Sequence, residues 1–232
     1  YKSGDTTLKG YLAYDDANAD KRPGVLVVHE WWGHNEYART RARKLAELGY
    51  IALAVDMYGD GKTAKHPDDA GKFSQEVMKN LPTGEARFRA AEELLKQQPQ
   101  TDGSKIGAIG YCFGGSNVID LARAGANVAA VVSMHGNLTT GMPAKAGEVK
   151  AAVLVVHGAD DPIAPKSDRD ALEAEMRAAG ANWTILAFGG VLHNFTDPTS
   201  NRPPNSKFSA HANRYGYALA HAFIADALAG KL

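Results

Sequence analysis

The chain has 232 residues, 44% of them hydrophobic and 22% charged, and its 26 lysines and arginines balance its 26 aspartates and glutamates. This composition is typical of a soluble globular protein, and the zero net charge gives no indication of a nucleic-acid partner. No apolar run approaches the ~18 residues that a membrane-spanning helix needs, and a single cysteine excludes an internal disulfide. We expect a soluble protein of the cytoplasm or the periplasm. The chain begins with Tyr1 rather than methionine, which is compatible with a removed signal peptide, and the sequence leaves the compartment open.

The first half of the chain alternates between predicted strands and predicted helices. The apolar run over 24–30 is typical of a strand buried on both faces of a parallel sheet. The stretch over 35–49 predicts a helix that Asn35 caps and Gly49 ends. The remaining elements are an exposed strand over 6–14, a buried strand over 50–56, and helices over 68–81 and 84–97.

The second half continues this alternation. A strand over 105–111 leads directly into Cys112, and a helix over 116–124 follows. The remaining elements are strands over 128–136, 151–161 and 182–190, a helix over 167–180 capped by Ser167, and a long helix over 207–229. Such an order predicts an α/β fold with a mostly parallel central sheet, helices on both of its faces, and one domain over residues 1–232.

Side chains with catalytic potential follow several of these strands. In open parallel sheets, active groups gather beyond the carboxyl ends of the strands. The residues expected at this edge are Glu30, Asp56, Cys112, His135, the segment 157–161 and His193. The sequence lacks the close ligand spacings of a metal site, so we expect neither a metal nor a cofactor, and we interpret His29, His135 and His157 as structural histidines.

The segment Gly110-Tyr111-Cys112-Phe113-Gly114 follows the pattern Gly-x-nucleophile-x-Gly between a strand and a helix. In this arrangement a strained turn exposes the nucleophile, and the positive end of the following helix favours a thiolate. The alternative is a buried structural cysteine in a glycine-rich turn. A dinucleotide-binding loop is disfavoured, because the glycines do not give G-x-G-x-x-G.

A cysteine nucleophile needs a histidine base and a carboxylate that orients the base. In hydrolases with this type of turn, the acid and then the histidine follow the nucleophile along the chain. Asp160 and Asp161 lie in a predicted loop after a strand, and His193 lies in a loop after the last strand. The order therefore predicts a Cys-Asp-His triad and leaves the choice between the two aspartates open.

The whole chain resembles the dienelactone hydrolase family of the α/β-hydrolase superfamily, through the motifs VVHEWWG, DMYG, GYCFGG, HGADDPIAP and LHNF. The resemblance implies a triad of Cys112, Asp161 and His193. Asp161 is chosen over Asp160 because the family has the spacing D-x-x-x-P, and the proline of this motif is Pro165. It also implies that Glu30 pairs with the thiol and helps to deprotonate it when substrate binds. The alternative for this glutamate is an exposed charge at a strand end.

The oxyanion hole is expected to use two backbone N–H groups. The residue after the nucleophile, Phe113, would supply one, and by the family resemblance Trp31 would supply the other. Only the backbone of these residues matters for this role.

The substrate-binding residues depart from the family pattern. An arginine that binds the substrate carboxylate in the family is replaced here by Asp197, and the loop after DMYG contains lysines but no arginine. Arg202 or one of these lysines could compensate. We therefore expect a neutral ester or lactone with a bulky, aromatic group as substrate, and a neutral phosphotriester as a side substrate.

Aromatic residues are the candidates for the walls of the substrate pocket. They are Trp31, Trp32, Tyr58, Tyr111 and Phe195, and packing in the core is the alternative for each. Two other functions on the same fold are a non-catalytic ligand-binding protein and an acyltransferase. The sequence does not predict the oligomeric state.

Overall fold

The computed structural model describes all residues, Tyr1–Leu232. It has the predicted α/β fold, in which helices flank a mostly parallel central sheet. The chain forms two compact units, Tyr1–Ile109 and Gly110–Leu232. None of its helices combines the length and the hydropathy that crossing a membrane requires.

The first unit contains the strand order β3-β5-β4-β6 of the central sheet. Strand β3 is antiparallel to β5, whereas β4 is parallel to β5. The strands are β1 (Lys2–Ser3), β2 (Thr6–Thr7), β3 (Tyr11–Ala13), β4 (Arg22–Val28), β5 (Ile51–Val55) and β6 (Thr101–Tyr111), the last of which continues into the second unit. The helices are α1 (Glu36–Glu47), α2 (Pro67–Met78) and α3 (Leu81–Lys96).

The buried strands and the helix caps of the first unit follow the sequence pattern. Residues 25–28 of β4 and the whole of β5 are buried, which confirms the apolar runs as central strands. The side chain of Asn35 accepts the N–H of Tyr37 at 3.1 Å and caps α1, and Gly49 follows the helix with a φ of +93°.

The predicted exposed strand over 6–14 is wrong as a single element, because β2 and β3 are separate. Between them, the N–H of Leu8 donates to the carbonyl of Tyr1 at 2.8 Å. The N–H of Lys9 donates to the buried carboxylate of Asp56 at 3.0 Å. That carboxylate also accepts the N–H groups of Tyr58, Gly59 and Gly61, so it fixes the loop after β5.

The second unit contains the strand order β7-β8-β9 of the central sheet, all parallel. Its strands are β7 (Ala130–Met134), β8 (Ala152–Gly158), β9 (Trp183–Phe188), β10 (Asn201–Arg202) and β11 (Ser206–Lys207). Its helices are α4 (Phe113–Arg123), α5 (Lys166–Ala179) and α6 (Ala210–Leu228). Helix α5 starts after Pro165, so the prediction of Ser167 as its cap is wrong.

The segment between β9 and α6 contains a small hairpin. Strands β10 and β11 are antiparallel. Helix α6 starts three residues later than the predicted 207, and the hydroxyl of Ser209 caps it by accepting the N–H of Ala212 at 3.3 Å. The N–H of Lys207 donates to the carbonyl of His193 at 3.1 Å, so the hairpin holds the backbone of this histidine.

Candidate active site

Cys112 lies in a strained turn between β6 and α4. Its backbone has φ 51° and ψ −114°, a conformation that a non-glycine residue rarely adopts. A Cβ atom at Gly110 would collide with the backbone carbonyl of Gly114, so only glycine permits this approach of strand and helix. The turn has the geometry that the Gly-x-nucleophile-x-Gly pattern predicts.

The structure brings Cys112, His193 and Asp161 together in one hydrogen-bonded chain. The Nε2 atom of His193 lies 3.2 Å from the Sγ atom of Cys112, and its Nδ1 atom lies 2.7 Å from Oδ2 of Asp161. The other carboxylate oxygen of Asp161 accepts the N–H of Ile163 at 2.8 Å. Asp160 is exposed, so geometry selects Asp161 from the two aspartates that the sequence left open.

The loops that carry the acid and the histidine are held together by their backbones. The N–H of Ala159 donates to the carbonyl of Phe188 at 2.8 Å, and the N–H of Asp160 donates to that of Val191 at 3.1 Å. Gly158 ends β8 where a Cβ atom would collide with the carbonyl of Val191. This close approach explains how a carboxylate and an imidazole from two loops reach hydrogen-bonding distance.

The environment of His193 favours its protonated form. Burial lowers the pKa of this imidazole, but the negative charge of the Cys112 thiolate and the hydrogen bonds with Asp161 and Cys112 outweigh burial and raise the pKa to about 10. A protonated imidazole at this position can donate through Nδ1 to the carboxylate and through Nε2 to the sulfur. A cationic imidazole beside a sulfur favours the thiolate, the form in which a cysteine is nucleophilic.

The pKa of His193 gives a testable prediction. In an NMR titration we expect it to lie near 10 in the wild-type protein and to fall in Cys112→Ala, which lacks the thiolate charge. Because the folded-state pKa exceeds the usual value of 6.5, protonation stabilises the fold fully below pH 6.5, and this stabilisation is lost as the pH rises through about 10. A wild-type pKa at or below 6.5 would contradict the ion pair.

Glu30 and Trp31 lie in the loop after β4, in the first unit. The side chain of Glu30 is only 4% exposed, so the alternative of an exposed strand-end charge is wrong. Its carbonyl accepts from Nδ1 of His29 at 2.7 Å, and the N–H of Met57 donates to Nε2 of the same ring at 3.3 Å. Burial lowers the pKa of His29 to about 4, so the ring is neutral and structural, as predicted.

The peptide group of Trp31 is also held in place. Its carbonyl accepts the hydroxyl of Tyr58 at 2.9 Å, and its indole N–H donates to the hydroxyl of Ser74 at 2.9 Å. The hydroxyl of Tyr58 thus holds the carbonyl of Trp31, the residue whose N–H is the predicted oxyanion donor.

Three of the five expected pocket walls are instead core residues. Tyr58, Tyr111 and Phe195 are at most 2% exposed. The hydroxyl of Tyr111 donates to that of Tyr217 at 2.9 Å, and the ring of Phe195 packs against His135 with centroids 5.0 Å apart. The aromatic-wall prediction is therefore wrong for these three, because their rings are enclosed by protein.

Trp31 and Trp32 differ from these core rings because both are only half-buried, with ring centroids 5.3 Å apart. They stay candidates for contact with substrate.

Asp197 occupies a turn in which its carboxylate is already bonded. It accepts the N–H and the hydroxyl of Thr199 at 2.9 and 2.8 Å. Arg202 is exposed on β10. The prediction that Arg202 or a lysine replaces the arginines of the family stays a prediction.

His135 contacts the site directly, which the interpretation as a structural histidine did not anticipate. The N–H of Cys112 donates to its Nδ1 atom at 3.2 Å, and its ring meets that of His193 edge-on with centroids 5.3 Å apart. The only sequence signal was its position at the carboxyl end of a strand.

Known proteins resemble this chain in sequence and in fold. The model of the dienelactone hydrolase family matches residues 8–226. A crystal structure of a dienelactone hydrolase-like promiscuous phosphotriesterase from metagenomic libraries is 35% identical, covers 97% of this chain and 95% of that chain, and has a TM-score of 0.90. A protein designated m3DLH is 34% identical, covers 98% of this chain and 95% of its own, and has a TM-score of 0.91. The carboxymethylenebutenolidase of Pseudomonas putida is 28% identical over 153 residues, which cover 63% of this chain and 64% of that protein.

Proposed function

The chain belongs to the dienelactone hydrolase family and is a hydrolase, and we propose that it cleaves neutral carboxylic esters and lactones with Cys112 as the nucleophile. The observation that supports this proposal is the unbroken contact from sulfur to imidazole to carboxylate, at 3.2 and 2.7 Å. Side chains from three distant segments form this contact, and hydrogen-bonded nucleophile, base and orienting acid are the signature of covalent catalysis.

The reaction runs in two stages. The thiolate of Cys112 attacks the carbonyl carbon, and the tetrahedral intermediate collapses as His193 gives its proton to the departing alcohol. A thioester then links the acyl group to the sulfur. Neutral His193 takes a proton from water, the hydroxide attacks the thioester, and the acid leaves as the thiolate is restored.

The developing oxyanion needs preorganised donors. The N–H of Phe113, at the first residue of α4, is the proposed first donor, supported by its position directly after the nucleophile. The N–H of Trp31 is the proposed second donor. Glu30 is the proposed acceptor of the proton in those molecules in which Cys112 is still a thiol when substrate binds. Both roles are carried over from the family resemblance. Burial of Glu30 supports its role, because a buried carboxylate accepts a proton more readily.

The preference for a neutral substrate follows from charge. The position four residues beyond His193 carries the acid Asp197 instead of an arginine, so the chain lacks the cation that would attract a substrate carboxylate there. The half-buried rings of Trp31 and Trp32 are suited to apolar acyl or alcohol groups.

A panel of nitrophenyl esters tests this proposal. We expect kcat/KM to be higher for neutral acyl chains than for acyl chains of equal length that end in a carboxylate, and mass spectrometry of a slow substrate to find the acyl group on the peptide that contains Cys112. Faster cleavage of the carboxylate-ended esters would contradict the neutral preference. An acyl group absent from that peptide during turnover would contradict the covalent route.

A second substrate class is the neutral phosphotriester, because a metagenomic relative at 35% identity is described as a promiscuous phosphotriesterase. Here the thiolate would attack phosphorus and expel nitrophenolate, and water would then cleave the phosphorus–sulfur bond. The same panel includes a nitrophenyl dialkyl phosphate in the presence of a chelator. Release of nitrophenolate at the rate of a Cys112→Ser control would exclude this activity.

A further inference from the structure

His135 touches each segment that carries a member of the proposed triad. The residue follows β7, is 0% exposed and has a φ of 43°. Its Nδ1 atom accepts the N–H of Cys112 at 3.2 Å, and its Nε2 atom lies 2.6 Å from the hydroxyl of Thr196, three residues after His193. Its own N–H donates to the carbonyl of Val156 at 2.9 Å, on the strand that precedes Asp161.

These partners determine where the ring carries its proton. The backbone N–H of Cys112 can only donate, so the Nδ1 atom that faces it must have a free lone pair. The hydrogen then lies on Nε2, which donates to the hydroxyl of Thr196. With the hydrogen on Nδ1 instead, two N–H groups would face each other in a buried place, which costs free energy.

The turn at Cys112 is the part of the site that most needs such support. Its positive φ is strained, and strain of this kind persists only where the surroundings fix the backbone. The N–H of Cys112 is shared between Nδ1 of His135 and the carbonyl of Met134, at 3.2 and 3.0 Å. The same ring is hydrogen-bonded to Thr196, which lies in the loop of His193. His135 therefore connects the backbone of Cys112 with the loop that carries His193, the two residues whose Sγ and Nε2 atoms lie 3.2 Å apart.

We propose that His135, held as the Nε2–H tautomer by Thr196, is a positioning residue that sets the distance between the Cys112 sulfur and His193. The proposal rests on the proposed function of the site. The hydrogen bonds of the His135 ring are to the backbone N–H of Cys112 and the hydroxyl of Thr196, so it acts through the backbone of Cys112 and the loop of His193. Its neutral form also avoids a second positive charge beside the His193 imidazolium, whose ring centroid is 5.3 Å away.

Variants of Thr196 test the proposal because they change its hydrogen bond and alter the shape of the side chain very little. Thr196→Val removes the acceptor of the Nε2–H and keeps the volume, and Thr196→Ser keeps the hydroxyl. We expect Thr196→Val to lower kcat by about 10- to 100-fold with KM nearly unchanged, since small misplacement of reacting groups costs up to about 10²-fold. Thr196→Ser should restore most of the rate. Thr199→Val, which removes a hydroxyl from the same loop, should match the wild type.

Variants of His135 separate its two hydrogen bonds. Asparagine can place an oxygen near the position of Nδ1 and tolerates a positive φ, so His135→Asn keeps the acceptor for the N–H of Cys112. In His135→Gln, the longer side chain reaches towards Thr196, and the acceptor for the N–H of Cys112 is lost. We expect His135→Asn to retain more of kcat than His135→Gln, and thermal unfolding identifies any variant that is not folded.

A measurement of the tautomer is independent of activity. Nitrogen NMR of the wild-type protein labelled on histidine should find the hydrogen of His135 on Nε2, and Thr196→Val should shift part of it to Nδ1. An Nδ1–H tautomer in the wild type, or a folded Thr196→Val protein with wild-type kcat, would overturn the proposal. Failure of the proposed function would differ, because Cys112→Ala would then keep its activity whatever the tautomer of His135.

Discussion

Replacing Cys112 with alanine is expected to lower kcat/KM for a neutral nitrophenyl ester by a factor on the order of 10⁴ to 10⁶. The methyl group cannot form the thioester, and His193 loses the thiolate that lies 3.2 Å from its Nε2 atom. Residual cleavage would come from binding and from the backbone N–H groups proposed for the oxyanion hole. Steady-state kinetics with the best ester of the panel measure this loss.

Cys112→Ser is the matched variant for this experiment. The serine hydroxyl is far less acidic than a thiol, so it forms no anion beside His193, while the shape of the side chain is almost kept. We expect a loss that is large, but smaller than that of alanine. An alanine variant within about tenfold of the wild type would contradict a covalent role for the sulfur.

Replacing Asp161 with asparagine is expected to lower kcat by about 10⁴-fold. One carboxylate oxygen accepts the N–H of Ile163 at 2.8 Å, so the amide oxygen of asparagine is needed at that position. The amide NH₂ then faces Nδ1 of His193, which must become an acceptor and move its hydrogen to Nε2. The imidazole is left in the wrong tautomer to accept a proton from water.

Asp160→Asn is the control for this experiment, because it makes the same chemical change at the neighbouring exposed position. We expect the control to keep the wild-type kcat. The pKa of His193 should fall in Asp161→Asn, since the hydrogen bond and the charge of the carboxylate both raise it. Equal losses in the two variants would contradict the assignment of the acid.

The parts of the site that depend on local sequence could be predicted well. The turn at Cys112 follows from glycines within two residues of the sulfur, between an apolar strand and a helix. The positions of Asp161 and His193 after their strands follow from the geometry of parallel sheets, in which strand ends share an edge. The choice of Asp161 over Asp160 needed either the family spacing or the structure, because adjacent residues differ only in the direction of their side chains.

The aromatic residues show why the pocket could not be predicted. Tyr58, Tyr111 and Phe195 lie next to functional residues along the chain, but their rings are buried. Because these residues are neighbours of functional residues in the sequence, their backbones lie near the site. Whether each ring points into the pocket or into the core depends on packing, which the sequence does not show.

Hydrogen bonds between distant segments of the chain could not be predicted from the sequence either. The bond between Lys9 and Asp56 interrupts a predicted strand, and the bond between His135 and Thr196 joins residues 61 positions apart. Neither pair has a characteristic spacing or motif, so only the folded chain reveals them.

The glycine that ends β8 has a consequence for protein engineering. Because Gly158 leaves no room for a methyl group against the backbone of Val191, the junction that aligns the acid with the base has no spare volume. We therefore expect a substitution of Gly158 to displace the carboxylate of Asp161 from the imidazole of His193. Mutagenesis for new substrates is better directed at Trp31 and Trp32, whose half-buried indoles are the remaining candidates for contact with substrate.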